Sequence, residues 1–349
     1  NDGISDDFYP WDWLYYSEKR RQKEHELNEE EVKAYFSLDQ MVEASFYCAN
    51  KLFGLSFQPV SLPLYHKDCK AWEVIKNGET IALFIGDYFA RSSKRSGAWC
   101  SAFQSQAKFP VSQKPIVLNV CNFAKGSPTL LSFDDARTLF HEFGHALHQI
   151  LSNVTYEPLS GTSVSRDFVE LPSQLFEHWL TVPEVLKRFA VHYKTKSPIS
   201  EKLMERLIGA SNYDMGYQTV EYTSSALVDL YFHLEDTEKD VMELQNEILS
   251  KIGLPEAINM RHATPHFAHV FSGGYYAAAY YSYMWSEVMD ADAFSAFEEL
   301  DNPFDADLAK SLEDNILSKG NSLDPEIAYK RFRGNLPKVD ALLRGRGLI

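Results

Sequence analysis

No two of the four cysteines, Cys48, Cys69, Cys100 and Cys121, stand in a C-x-x-C pair, so the chain offers neither a zinc knuckle nor a dense disulfide framework. Thiols this sparse suit a reducing compartment. No apolar run approaches the roughly 18 residues that cross a bilayer, and the opening stretch Asn1 to Asp7 has no apolar signal-peptide core. A soluble, cytoplasmic protein is expected, either a fragment or a processed product because the sequence opens without Met. Positive charge is scarce as well: 34 Lys and Arg stand against 49 Asp and Glu, a net charge of −15. That excludes the broad basic surface that grips phosphate backbones, so neither nucleic acid nor membrane is an expected partner. Repeats, low-complexity tracts and Pro/Gly/Ser linkers are missing too, and composition marks no domain boundary.

What the chain does have is apolar material, 45% of its 349 residues, enough for a large core. Residues 17–53 pair a Glu/Lys/Arg-rich stretch with Met41, Ala44, Phe46, Ala49 and Leu52 at helical spacing, which predicts two helices. From about 57 to 123 the pattern changes to short runs, Thr80 to Ile85 after Asn77-Gly78 and Pro115 to Val120, which predict a small sheet. Residues 132–340 return to helical patterns, broken by glycine-bearing loops near 160 and 273. The expected class is mainly α with a small β-sheet.

Chemistry concentrates at His141-Glu142-Phe143-Gly144-His145, an H-E-x-x-H motif. Positions i and i+4 share a helix face, so both imidazoles can reach one ion, while Glu142 stands beside the ion's open position. The motif alone decides little, and its context must carry the reading. Ser132-Phe133-Asp134-Asp135 resembles a capping box and starts a helix whose apolar positions Leu139, Phe143, Leu147 and Ile150 run through the motif. A catalytic zinc usually takes three protein ligands and leaves a fourth position to water. A third histidine six positions after His145 is excluded because Leu151 stands there, and His148 is at the wrong offset. Glu170 remains, on a helix after the loop Ser160-Gly161-Thr162. Asp167 and Glu177 are candidate acceptors for the ligand imidazoles, weighed evenly against plain exposed carboxylates.

The run from Phe140 to Trp179, with HEFGHALH, SGTSVSRDFVELPSQ and EHW, resembles the thimet oligopeptidase family of zinc peptidases, and within it the bacterial-type dipeptidyl carboxypeptidases. The likeness extends to Pro10 to Trp13, Gly86 to Arg91, Gly97 to Trp99, Val120 to Phe123 and Lys319 to Ser322. It implies one Zn2+ held by His141, His145 and Glu170, with Glu142 as general base. It also implies a helical, zincin-type catalytic region lining a deep channel. The whole of residues 1–349 then corresponds to the C-terminal half of the family, and the N-terminal helical half becomes a possible partner.

The resemblance further implies a histidine and two tyrosines that bind substrate and stabilise the oxyanion, here His269, Tyr276 and Tyr283. The seven-residue interval places the two tyrosines on one helical face, with Tyr275 as the alternative to Tyr276. Arg261 is a candidate clamp for a substrate carboxylate. The implied reaction is hydrolysis of short peptides with release of C-terminal dipeptides, the substrate pairing as a strand along a sheet edge near Val117 to Asn122. Endo-acting cleavage by the same chemistry is the first alternative. A peptide-binding protein with a vestigial zinc site is the second, from another class.

Overall fold

The computed structural model describes residues 8–235, 239–255 and 258–349; the opening stretch Asn1 to Asp7, read above for a signal peptide, lies outside them. In chain order the helices are α1 (Trp13–His25), α2 (Glu29–Lys33), α3 (Leu38–Phe53), α4 (Phe133–Ile150), α5 (Arg166–Val169), α6 (Leu171–Glu177), α7 (Pro183–Phe189) and α8 (Glu201–Gly209). They continue with α9 (Met215–Leu234), α10 (Val241–Lys251), α11 (Ala268–Phe271), α12 (Ser282–Glu299), α13 (Ala306–Leu312), α14 (Pro325–Arg333) and α15 (Val339–Gly345). The strands are β1 (Ser56–Val60), β2 (Lys70–Lys76), β3 (Glu79–Phe89), β4 (Trp99–Gln104) and β5 (Ile116–Phe123). The class is mainly α with one small sheet, as expected. The N-terminal stretch differs in detail: three helices stand where two were expected, because Asn28 caps α2 by accepting from the Glu30 amide and so separates it from α1.

The chain folds into two compact units, one of Asn28–Met204 with Ser286–Leu342, the other of Glu205–Trp285, Leu343–Ile349 and the described residues before Asn28. Each is assembled from separated segments, so no linker in the sequence could announce the division. Among the described residues no helix is long and apolar enough to cross a membrane.

The first unit holds the sheet, in the order β1-β2-β3-β5-β4. Asn77 and Gly78, both at positive φ, close the β2–β3 hairpin in two residues. β5 pairs parallel with β3 and antiparallel with β4, which makes β4 and β1 the outer strands. Val117 to Val120, where a substrate-pairing edge was expected, is therefore not an edge: β4 covers it, and the outer strand on this side is Trp99–Gln104. Residues 90–98 cross from β3 to β4 and are pinned from below. Buried Asp87 takes both ends of the Arg91 guanidinium (2.7 and 2.8 Å), and Lys94 donates to the carbonyls of Asp87, Phe89 and Cys121.

α3 and α4 pack on one face of this sheet. Phe46 stacks on Phe57 with centroids 4.0 Å apart, and Phe143 meets Phe84 edge-on at 5.3 Å. Burying one such ring contributes about 1.5–3 kcal/mol, so Phe143 fastens α4 to the sheet from inside the H-E-x-x-H motif.

Beyond α6, Trp179 is fully buried and donates to the Pro303 carbonyl at 2.8 Å. His178 stacks on Phe294 and meets buried Asp290 at 2.7 Å. Burial pushes the Asp290 carboxyl from 3.8 up to about 7 against the opposing pull of His178. A raised folded-state value means that the native state binds more protons than the unfolded chain, so this group's contribution is complete below pH 3.8 and is lost as pH rises to about 7. Asp290→Asn should remove that slope. Chemical denaturation at several pH values between 4 and 7 should show the wild type losing stability relative to the variant as pH rises. Parallel pH profiles would contradict the assignment.

Candidate metal centre

α4 begins at Ser132, whose hydroxyl accepts from the Asp135 amide while the Asp135 carboxylate accepts from the Ser132 amide, each at 3.0 Å. This closes the capping box and fixes the helix phase. With Leu139, Phe143, Leu147 and Ile150 buried, His141 and His145 emerge together, their rings 5.0 Å apart.

Glu170 stands at the joint between α5 and α6, where Pro172 allows a new helix to start because its missing N–H lies in the first turn. The side chain is buried, and Ser173 Oγ donates both to its carbonyl (2.9 Å) and to its Oε2 (3.1 Å). Oε2 lies 3.2 Å from His141 Nε2 and 3.0 Å from His145 Nε2. The three donor atoms all fall within 4.8 Å of one another. Glu177, seven residues on and so on the same face of α6, takes His141 Nδ1 at 2.6 Å. That contact orients the ring with Nε2 toward Glu170.

Asp167 does not play the matching part for His145. His145 Nδ1 is buried without a hydrogen-bond partner, and it is the Asp167 backbone carbonyl that is engaged, by Ser286 Oγ at 2.9 Å.

Two glycines hold this geometry. Gly144 faces α6 so closely that a Cβ there would lie 2.6 Å from Ser173 Cα and 2.7 Å from the Pro172 carbonyl. Gly320, at φ +47°, lies against the loop after α4, where a Cβ would clash with the Leu159 carbonyl, and the Asn321 amide donates to that carbonyl at 2.8 Å. The Lys319 to Ser322 motif thus braces the chain between His145 and Glu170.

The charges are unbalanced. Burial works against a proton on His141, but hydrogen bonds to Glu170 and Glu177 outweigh it and lift the pKa well above the ordinary value. Burial also opposes charge on Glu170, yet His145 and His141 hold its carboxyl well below the usual range. Glu142 moves the other way: burial raises it more than the two imidazoles lower it, and its Oε2 is buried without a partner. An orphaned oxygen of this kind costs about 1–3 kcal/mol. Two imidazole nitrogens and one carboxylate oxygen around one point, among three carboxylates in all, fit a divalent cation of the zinc type.

The second unit gathers the remaining expected residues. His269 Nε2 lies 3.0 Å from the Tyr283 hydroxyl, the Tyr276 ring lies 4.5 Å from His269, and Tyr276 stacks on Tyr283 at 6.1 Å. Tyr276 and Tyr283 do not share a helix face: α12 starts only at Ser282, and Tyr276 lies in the preceding loop, which folds back through Ala278 at φ +57°. Tyr275, the alternative to Tyr276, is 63% exposed. Arg261 is exposed and close enough to Tyr280 and Tyr217 to act on both electrostatically.

Likenesses to known proteins show the family. The model of Peptidase family M3 matches residues 1–348, and the chain belongs to that family of metallopeptidases. It is 41% identical to a dipeptidyl carboxypeptidase of Escherichia coli over 97% of its own length and 51% of the relative's. It is 36% identical to oligopeptidase A of the same organism, over 98% of the chain and 52% of the relative. The chain thus spans about half the length of the curated relatives it matches. Among solved structures, Trypanosoma cruzi metallocarboxypeptidase 1 shares the fold with a TM-score of 0.54 at 14% identity, over 95% of this chain and 63% of that one. The M32 carboxypeptidase of Deinococcus radiodurans has a TM-score of 0.50 at 13% identity, over 90% and 59%.

Sequence reasoning passed over Ser173, although its i+3 spacing from Glu170 is a usable signal for a hydroxyl bond within one turn. Gly144→Ala should force α6 off α4, costing about 1–3 kcal/mol and occasionally more. Denaturation and metal titration together check this. Unchanged stability and affinity would show that the close approach is not needed.

Proposed function

We propose that this chain is the C-terminal catalytic region of a zinc peptidase that releases dipeptides from the C-termini of short peptides. The observation that carries the reading is the convergence of His141, His145 and Glu170 beside Glu142, whose Oε2 is buried without a partner. His141, His145 and Glu170 would hold the one Zn2+, which when bound supplies Lewis acidity and makes water a competent nucleophile near neutral pH. Glu142 takes the proton from the attacking water and passes it to the leaving amine, a task suited by its raised pKa. The resemblance gives oxyanion stabilisation to a hydroxyl of Tyr276 or Tyr283 with His269.

Substrate backbone would pair along β4. This outer strand is near the base: after burial, the Glu142 charge is the next cause holding the Cys100 thiol up. Arg261, with Tyr275, remains the candidate contact for the substrate's free carboxylate. The complete enzyme would add the N-terminal helical region that the resemblance implies. Free thiols suit the cytoplasm, the compartment proposed here. An endo-acting oligopeptidase is the second reading, favoured by the match to oligopeptidase A.

Glu142→Gln is expected to keep zinc while kcat falls about 10²–10⁴-fold, whereas His141→Ala loses the metal. Equal metal loss in the two variants would refute the assigned roles. Mass spectrometry of blocked peptides separates the two readings. Amidating the C-terminus should sharply slow cleavage and acetylating the N-terminus should not. Equal rates on amidated and free peptides would replace the dipeptide-releasing carboxypeptidase with the endopeptidase.

A further inference from the structure

The loop that carries Tyr276 into Tyr283 is not held by its own sequence. Ala278 sits in the left-handed region at φ +57°, a conformation that costs an L-residue other than Gly, Asn or Asp on the order of 1–2 kcal/mol and persists only when the surroundings impose it. The surroundings here are two side chains of α9. Asp229 is fully buried, and its carboxylate accepts the Ala278 amide at Oδ1 (3.0 Å) and the Tyr280 amide at Oδ2 (2.9 Å). Tyr222, seven residues earlier and so on the same helical face, donates its hydroxyl to the Tyr280 carbonyl and accepts from the Met284 amide at 3.1 Å. His233, one turn after Asp229, donates from Nδ1 to the Asp229 backbone carbonyl at 2.8 Å and holds that nitrogen 3.1 Å from Asp229 Oδ1.

Between these contacts the Tyr280 ring is wedged against Phe267 and Tyr222. It belongs to the core built on Val228, Leu244, Ile248 and Val270. The residues on either side of this clamped point are the ones whose rings meet His269. Ala278 and Tyr280 are two and four residues after Tyr276, and Met284 follows Tyr283 directly. A carboxylate accepting two backbone N–H groups at once is a fixed, charge-assisted bracket, and no neutral side chain of the same size can reproduce it. Asn presents one acceptor and one donor, so it must leave one amide unmet or facing another donor.

We propose that Asp229 and Tyr222 are positioning residues for the Tyr276–His269–Tyr283 group, setting where its hydroxyls stand during turnover. The inference rests on the reading of those tyrosines given under Proposed function. In the zinc-loaded enzyme completed by its N-terminal region, Asp229→Asn should lower kcat about 10–100-fold, as expected for a reacting group misplaced by about 1 Å. KM should stay within a few-fold and zinc content unchanged. The decisive readout is a cycle with Tyr276→Phe and Tyr283→Phe. If Asp229 acts through these hydroxyls, adding Asp229→Asn to the double phenylalanine variant should cost little further. The isotope-labelled His269 imidazole resonances should also shift in Asp229→Asn.

Losses that multiply, or a wild-type kcat in Asp229→Asn while the phenylalanine variants are slow, would overturn the bracket and leave the tyrosine reading intact. Wild-type kcat in both phenylalanine variants would overturn the tyrosine reading and the bracket with it. If Asp229→Asn does not fold, Tyr222→Phe, which removes a single oxygen, runs the same cycle with the same outcomes.

Discussion

Helix α6 lies against α4 at backbone distance, and this single close approach organises the rest of the centre. Only a residue without Cβ lets the Ser173 backbone and the Pro172 carbonyl sit where they do over Gly144. From that approach follow the positions of Glu170 at the start of α6 and Glu177 at its end, one on each side of the His141 ring. Phe143 holds α4 to the sheet in the same five residues, so the motif divides its work: two imidazoles that converge on Glu170, a carboxylate beside them, one ring for the core and one side chain that is absent by necessity. Gly320 repeats the device at the far end of the intervening loop.

The centre collects charge that the protein alone does not neutralise. Glu142, Glu170 and Glu177 crowd two imidazoles in a buried place, where like charges interact strongly. The hydrogen bonds between His141, His145 and Glu170 use the same atoms that would ligate an ion, so protons and metal compete for them. Within this crowd Glu142 Oε2 is buried without a hydrogen-bond partner.

Much of this was legible in the sequence where the governing physics is local. The capping box at Ser132, the helix through His141 and His145, and the Asn77-Gly78 turn depend on neighbours within a few residues. Glu170 was within reach because a catalytic site needs a third ligand and the loop length limits where it falls. What stayed hidden is long-range. The order of strands placed β5 inside the sheet because β4, which follows β3 in sequence, pairs beyond it. The spacing of Tyr276 and Tyr283 read as one helical face, since nothing nearby in sequence reveals that Asp229, some fifty residues earlier, bends the chain at Ala278. Asp167 failed as well, since His145 Nδ1 is buried without a partner, a long-range outcome that its spacing from Glu170 could not show.

The most direct measurement of the account is diffraction recorded at the zinc absorption edge from crystals of the zinc-loaded protein. One ion should appear between α4 and the start of α6, with the free ring nitrogens of His141 and His145 about 2.0–2.1 Å away and a Glu170 oxygen about 2.0–2.2 Å away. An ion bound elsewhere, or Glu170 turned away from an ion held by the two histidines, would contradict it.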